Sequence, residues 1–208
     1  RNKSPELKMR IAIIGTGAGG MAAAISAAER GARVTLIEHG VIGGTCVNIG
    51  CVPSKIMLRA AQVARVRAAS PFDSGVSPGD PRIDRVALLA QQQGRVDELR
   101  AGKYEDVIAA HSSISLVRGE ATFRDGATLA VSSPDGSEQE VEFDRALIAS
   151  GARPAVPLIP GLTATPYWTS TRALASGAIP PRLLVIGSSV VAVELAQAYT
   201  EREAIIER

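Results

Sequence analysis

At 208 residues the chain has room for one large domain, or for one domain and part of a second. Its residues are 46% hydrophobic and 21% charged, and a formal net charge of +2 without a long basic block gives no case for nucleic acid or a membrane surface as partner. Aromatic residues make up only 3%, so the core must come from Ala, Val, Ile and Leu, and two cysteines are too few for a disulfide scaffold.

The N-terminus RNKSPELKMR, followed by IAIIGTGAGGMAAAISAA, has the outline of a secretory signal, with Ala22 and Ala24 as a small-residue cleavage pattern. Glycines at 15, 17, 19 and 20 interrupt its apolar segment, so residues 1–9 are read instead as a linker or tail. No later stretch has the length and continuity of a transmembrane helix, and the expectation is a cytoplasmic protein without membrane insertion.

Residues 10–14, RIAII, form a short apolar β-branched run, as expected of a buried parallel strand. GTGAGG follows, then a helix-like MAAAISAAERG that stops on Gly31, then a second strand at 33–38, RVTLIE. Together they make a βαβ unit. IMLRAAQVARVRAA predicts a helix and SPFDSGVSPGDP a turn-rich loop. Residues 84–110 predict one long helix capped by Asp84, with Val86, Leu89, Val96, Leu99 and Val107 on its apolar face.

The period then changes. ISLVRGEATF, ATLAVSS and QEVEFD predict three short strands, with PDGS at 134–137 as a hairpin turn. ALIASG predicts another buried strand, RPAVPLIPG a crossing, and RLLVIG with SSVVAVELAQAY a second strand–glycine–helix unit. The expected class is α/β: a Rossmann-like dinucleotide-binding domain over residues 10–151 with an antiparallel β insertion, then the start of a second such domain over 152–208.

Gly15-Thr16-Gly17-Ala18-Gly19-Gly20 matches G-x-G-x-x-G between a strand and a helix, and Glu38 ends the next strand, 18 residues after Gly20. Gly15 allows the tight turn, Gly17 lets the backbone approach a pyrophosphate at the helix N-terminus, and Gly20 lets helix and strand pack closely. Glu38 can accept hydrogen bonds from a ribose diol.

The only cysteines, Cys46 and Cys51, lie in GGTCVNIGCVPSK. Three readings compete: a structural disulfide, which closes too short a loop to gain much; a zinc site, for which His39 and His111 have no usual spacing; and a redox-active pair. Residues five apart in an ideal helix have Cα atoms about 8.6 Å apart, whereas a disulfide needs less than about 7 Å, so the backbone between them must bend. Gly50 permits that bend, and Pro53 disfavours helical geometry at Val52. Lys55 falls on the same helical face as Cys51, where its charge can stabilise a thiolate or a reduced anionic cofactor.

GGTCVNIGCVPSK resembles the active-site signature of the flavin-dependent pyridine nucleotide–disulfide oxidoreductases, and the likeness runs from about residue 10 to about residue 199. Within that family, GGTCVNIGCVPSKIMLRAA, SPFD, LLAQQQGRVDELR, PYWTSTRALAS and IGSSVVAVELAQA resemble the mercuric ion-reducing branch. The resemblance implies FAD on the first unit. Gly15, Gly17 and Gly20 would face its pyrophosphate and Glu38 its ribose; Gly40, Gly44 and Thr45 would line it, and Ala121 would meet the adenine side through its backbone. Cys51 would be the flavin-proximal sulfur and Cys46 the exchanging one. Lys55 would sit beside the flavin ring, paired with Glu194.

Two departures stand out. IASG, with Ser150 and Gly151, replaces the usual IATG but keeps a hydroxyl. The second cradle, Gly187-Ser188-Ser189-Val190-Val191-Ala192, has serine at the middle glycine position, a variant also seen in the mercury branch. After Tyr199 the sequence TEREAIIER departs from the family. The resemblance thus implies reduction of Hg(II) by NADPH through FAD, with Cys46 and Cys51 as metal ligands. Glutathione- or lipoamide-type disulfide reduction and a non-catalytic FAD-binding remnant are the alternatives. A homodimer is expected of the full-length protein, no N-terminal metal-trafficking domain is visible, and the chain reads as a fragment or truncated product.

Overall fold

The computed structural model describes residues 8–70, 72 and 74–206. Residues 1–7 of the expected linker, Pro71 and Asp73 of the turn-rich loop and the last two residues of the tail lie outside the described residues. The fold is α/β, with one parallel and one antiparallel sheet. The chain divides into two compact units: residues up to Asn48 together with Glu98–Ala152, and Ile49–Asp97 together with residues from Arg153 onward.

The first unit is built on the parallel sheet β3-β2-β1-β7, where β1 is Arg10–Ile14, β2 Arg33–Glu38, β3 Ile114–Arg118 and β7 Arg145–Ile148. Strand alternation gives this sheet two apolar faces. On one, Ile13, Val34, Leu36 and Ile114 bury against Met21 and Ala24 of helix α1, Ala18–Glu29. On the other, Ala12 and Ile37 meet Leu129, Val131, Val141 and Phe143 of the antiparallel meander β4-β5-β6, formed by Glu120–Phe123, Thr128–Ser132 and Glu138–Glu142. Three layers thus share two apolar interfaces, and β1 at the centre carries two residues with no exposed surface, Ala12 and Ile13. The expected turn closes the last hairpin: Ser133 and Ser137 pair through their backbones, and Gly136 takes φ +84°.

The second unit packs helices α3 (Cys51–Ala68), α6 (Ser170–Ala175) and α7 (Val190–Ile206) around Met57, Ala61, Ala173, Leu174, Leu195, Ala198 and Tyr199. The Tyr199 hydroxyl donates to the Ala173 carbonyl at 2.9 Å, which satisfies the polar end of a buried ring.

Several expectations need correction. The segment 114–123 forms two strands, because it breaks at Gly119; an added Cβ there would lie 2.6 Å from the Ser132 carbonyl oxygen. Its first half, β3, joins the parallel sheet. Strand β7 is not buried but stands at the sheet edge, with Ile148 65% exposed. RLLVIG forms no strand: the described residues hold no partner strand for it, and its backbone cannot complete a ladder alone.

The helix expected from Ile56 begins five residues earlier, at Cys51, with Val52 and Pro53 inside it. A first-turn N–H has no intrahelical acceptor, so proline is tolerated there. The long helix expected over 84–110 is interrupted. Asp84 does cap it, accepting the Ala87 N–H at 2.9 Å, but α4 (Arg85–Arg100) passes into a π turn at Ala101–Glu105 before α5 (Asp106–Ala110). Its buried residues are Arg85, Gln92 and Val96, while Val86 and Leu99 are exposed. Arg85 Nη2 and Gln92 Nε2 both donate to the Leu174 carbonyl, at 3.0 and 3.1 Å, so an orphan carbonyl at the end of α6 draws polar groups inward.

Candidate functional site

The first unit gathers the glycine cradle. Gly15 leaves β1 with φ +106°, and its N–H donates to the Ile37 carbonyl at 2.8 Å. A side chain is excluded there, because an added Cβ would lie 2.3 Å from the Ala149 carbonyl oxygen. Gly20, in the first turn of α1, is closed in the same way by the Gly15 carbonyl oxygen at 2.1 Å. Gly17 and Gly19 differ: an added Cβ at Gly17 meets only the Gly44 Cα at 3.9 Å, and at Gly19 it meets nothing within 4 Å. So Gly15 and Gly20 are required by packing, while Gly17 and Gly19 leave open space beside the helix end. Helix α1 has no side-chain cap and no acidic residue in its first turn. Free first-turn N–H groups and the helix dipole suit an anion at this end.

Glu38 ends β2 with its carboxylate buried. Oε2 accepts from the Thr16 N–H at 3.0 Å and the Thr16 hydroxyl at 2.7 Å, while Oε1 accepts from the Gly40 N–H at 2.8 Å. Burial alone would raise the acid's pKa, but these hydrogen bonds, joined by the charge of His39, outweigh it and hold the carboxyl below its ordinary value. Oε1 keeps acceptor capacity for one more donor. Gly40 is held from its other side by Arg118 Nη1, which donates to its carbonyl at 2.7 Å.

Sequence reasoning passed over Thr16. Its side chain is fully buried, and its hydroxyl donates to Glu38 while accepting the Gly43 N–H at 3.2 Å. It ties the cradle, the acidic strand end and the cysteine segment together. It occupies an "x" of the glycine motif, so only a polar residue at a position bound to be buried hinted at it.

The cysteine segment begins where Gly44 (φ +62°) approaches the cradle, an added Cβ lying 2.8 Å from the Gly17 Cα. Helix α2, Gly44–Ile49, carries Cys46, half-buried; Cys51 opens α3 and is exposed. The expected bend is at Gly50, with φ −128° and ψ −115°. Neither sulfur is in a disulfide. Burial pushes the Tyr104 phenol up, and charge on Cys46 raises it further.

The remaining expected residues are dispersed. Thr45 is exposed on α2. Ala121 lies on β4 opposite Val131, against the apolar cluster of the meander. Ser150 and Gly151 follow β7, and Gly151 takes φ +75°. Lys55 on α3 and Glu194 on α7 form the expected ion pair within the second unit. Gly187 belongs to that unit too and has φ +118°, with open space around it. Among the described residues, no group of three or more His, Cys, Asp or Glu side chains is arranged to hold a metal ion, and no helix is long and apolar enough to cross a membrane.

The pyridine nucleotide-disulphide oxidoreductase family matches residues 9–207. Relatives include mercuric reductases from Shigella flexneri, 62% identical over 191 residues, and Acidithiobacillus ferrooxidans, 60% identical over 192 residues; each match covers 92% of this chain. The chain spans about a third of the length of these relatives, 34% and 35%. Among solved structures, the Cu(II) complex of the HOCl-induced flavoprotein disulfide reductase RclA from Escherichia coli superposes with a TM-score of 0.78 at 31% identity, covering 93% of this chain and 40% of that one. The chain therefore belongs to the pyridine nucleotide-disulphide oxidoreductase family.

Proposed function

We propose that this chain carries the FAD-binding and dithiol part of an NADPH-dependent mercury(II) reductase. The observation that carries this reading is the 62% identity to a mercuric reductase across 92% of the chain. The dithiol agrees with it, since soft thiolates select soft metal ions. In this reading residues 10–151 bind FAD, residues 152–208 begin the NADPH-binding domain, and residues 1–9 are a linker. The full-length enzyme is a cytoplasmic homodimer with no nucleic-acid partner.

The first-turn N–H groups of α1, beside Gly17 and Gly19, face the FAD pyrophosphate, and Glu38 Oε1 takes a ribose hydroxyl. Gly15, Gly20, Gly40, Gly44, Thr45, Ala121, Ser150 and Gly151 shape the rest of that site, and Gly187 serves NADPH. Bound FAD supplies two-electron transfer from the nicotinamide. Cys46 and Cys51, as thiolates, hold Hg(II) as substrate. The balance is NADPH plus Hg(II) giving NADP+, one proton and elemental mercury. Cys51, first residue of α3, sits at the helix end that favours negative charge and would be the flavin-proximal sulfur; Cys46 would exchange the metal with solution thiols. Lys55, held by Glu194, would supply a positive charge beside the flavin ring.

A second reading, reduction of an organic disulfide by the same pair, is favoured by the likeness to a flavoprotein disulfide reductase at 31% identity. The two cysteine variants test the roles. Cys51→Ala should lose both turnover and the long-wavelength thiolate–flavin absorbance of the two-electron-reduced protein. Cys46→Ala should keep that absorbance and lose metal reduction. A band that survives in Cys51→Ala refutes the assignment.

A further inference from the structure

Helix α2 has only six residues, too few to be stable on its own, yet it carries Cys46. Something outside the helix must hold it. Asn48 Nδ2 donates to the Ile42 and Gly44 carbonyls, both at 2.9 Å, so its side chain bridges the turn before the helix and the helix's first residue. Asn48 Oδ1 in turn accepts from Arg100 Nη1 at 3.1 Å. Arg100 also pairs through Nε with Glu105 Oε1 at 3.4 Å.

The last contact depends on the π turn. Residues five apart on an α-helix point about 140° away from each other, at about 100° per residue. In a π turn, closed by i→i+5 hydrogen bonds, they come onto one side. The Asp106 N–H does bond to the Ala101 carbonyl, five residues back. Glu105 thus reaches Arg100 and fixes the guanidinium while its other arm points at Asn48. The same turn sets Tyr104 against the entrance to α2: an added Cβ on Gly43 would lie 3.5 Å from Tyr104 Cδ2. π turns of this kind are frequent at functional sites.

We propose that Arg100, oriented by Glu105 across the π turn, is a positioning residue that fixes the Cys46 thiol by clamping α2 through Asn48. The role of Cys46 in metal exchange rests on the proposed function; the clamp itself does not. Loosening it frees α2, exposes Cys46 to solution reagents and spoils its geometry for a two-thiolate complex, while Cys51, opening a different helix, is not affected.

The test compares the FAD-loaded protein with Arg100→Met, Arg100→Lys and Glu105→Gln variants. After reduction, each is labelled with iodoacetamide, and the modified Cys46 and Cys51 peptides are quantified by mass spectrometry. The expected result is a Cys46-to-Cys51 labelling ratio about tenfold higher in Arg100→Met, the size of one lost charge-assisted hydrogen bond. Arg100→Lys should restore part of the difference, and Glu105→Gln should move the ratio the same way by less. KM for Hg(II) should rise in the same order. If Arg100→Met does not retain FAD, the half-exposed Glu105→Gln decides alone. An unchanged ratio in a folded, FAD-loaded variant overturns the clamp. Cys46→Ala is assayed alongside: normal mercury turnover there would end the exchange role of Cys46, while the labelling ratio would still decide the clamp.

Discussion

The chain contains two glycine cradles of similar spelling and different fate. GTGAGG runs from the end of β1 into the first turn of α1, where a Cβ added to Gly20 or Gly15 would lie 2.1 or 2.3 Å from a backbone oxygen and a buried carboxylate collects three donors. GSSVVA leads into α7 in the same way, its last three residues opening the helix, but the run before it forms no strand, and Gly187 has open space where Gly15 has a neighbour. The difference lies in the sheet. Strand β1 has β2 on one side and β7 on the other, and RLLVIG has no strand to pair with among the described residues. The tight glycine turn at Gly15 is therefore built with a strand held in a sheet, and the glycine spelling alone does not produce it.

The sharpest way to break the comparison is one methyl group in each cradle. Gly20→Ala drives a Cβ into the Gly15 carbonyl oxygen, backbone that cannot swing aside. It should cost more than about 4 kcal/mol or abolish folding of the first unit. Gly187→Ala meets only the strain of a positive φ, about 1–3 kcal/mol. Urea midpoints compare the two, and equal losses would show that the second cradle is as tightly built as the first.

Within the second unit, the two faces of α7 should separate by nearly as much. Leu195 is 8% exposed and Val193 57%. Leu195→Ala should cost about 2–5 kcal/mol. Val193→Ala should stay within about 0.5 kcal/mol. Thermal unfolding of both variants measures the gap.

Glu38 sharpens the account of the first cradle. In Glu38→Gln the amide NH2 faces an N–H donor, and the loss of hydrogen bonds to a charged group should cost about 1.5–3 kcal/mol. The pH dependence has a definite sign. Because the folded carboxyl lies below its ordinary value, its contribution is complete above the usual carboxylate range and is lost as pH falls through the lowered value. Glu38→Gln should therefore flatten the acid limb of the stability curve; an unchanged limb assigns acid sensitivity elsewhere.

The smallest effect is expected at Leu184, 87% exposed in the run that makes no strand. Leu184→Ser should change stability by no more than about 0.5 kcal/mol. It should instead reduce self-association, since it interrupts the apolar patch made with Ile186, Val190 and Val191. Light scattering against concentration checks this.

What the sequence disclosed follows the range of each interaction. RIAII and RVTLIE are local patterns that agree with their burial, and both strands fall where the pattern puts them. The glycine spacing and Glu38 are short-range too, and so is the Asp84 cap. RLLVIG has the same apolar spelling as RIAII but lacks what only the rest of a sheet supplies. Arg85 and Gln92 lie buried because the Leu174 carbonyl, more than 80 residues away, needs donors, and no local period announces that. Thr16, Asn48 and Arg100 were equally silent: a hydroxyl at an unspecified motif position, an amide between two cysteines, and an arginine aimed by a π turn. Each acts through a partner that sequence distance hides.

The central proposal is that Cys46 and Cys51 hold Hg(II) as thiolates while it is reduced by NADPH through FAD. Its most direct test mixes the FAD-loaded full-length enzyme with NADPH and Hg(II) under excess thiol and traps volatile mercury while following nicotinamide absorbance. The account predicts one elemental mercury released for each NADPH consumed, and no release from Cys46→Ala. NADPH consumption driven by an organic disulfide, with no mercury released, would contradict it.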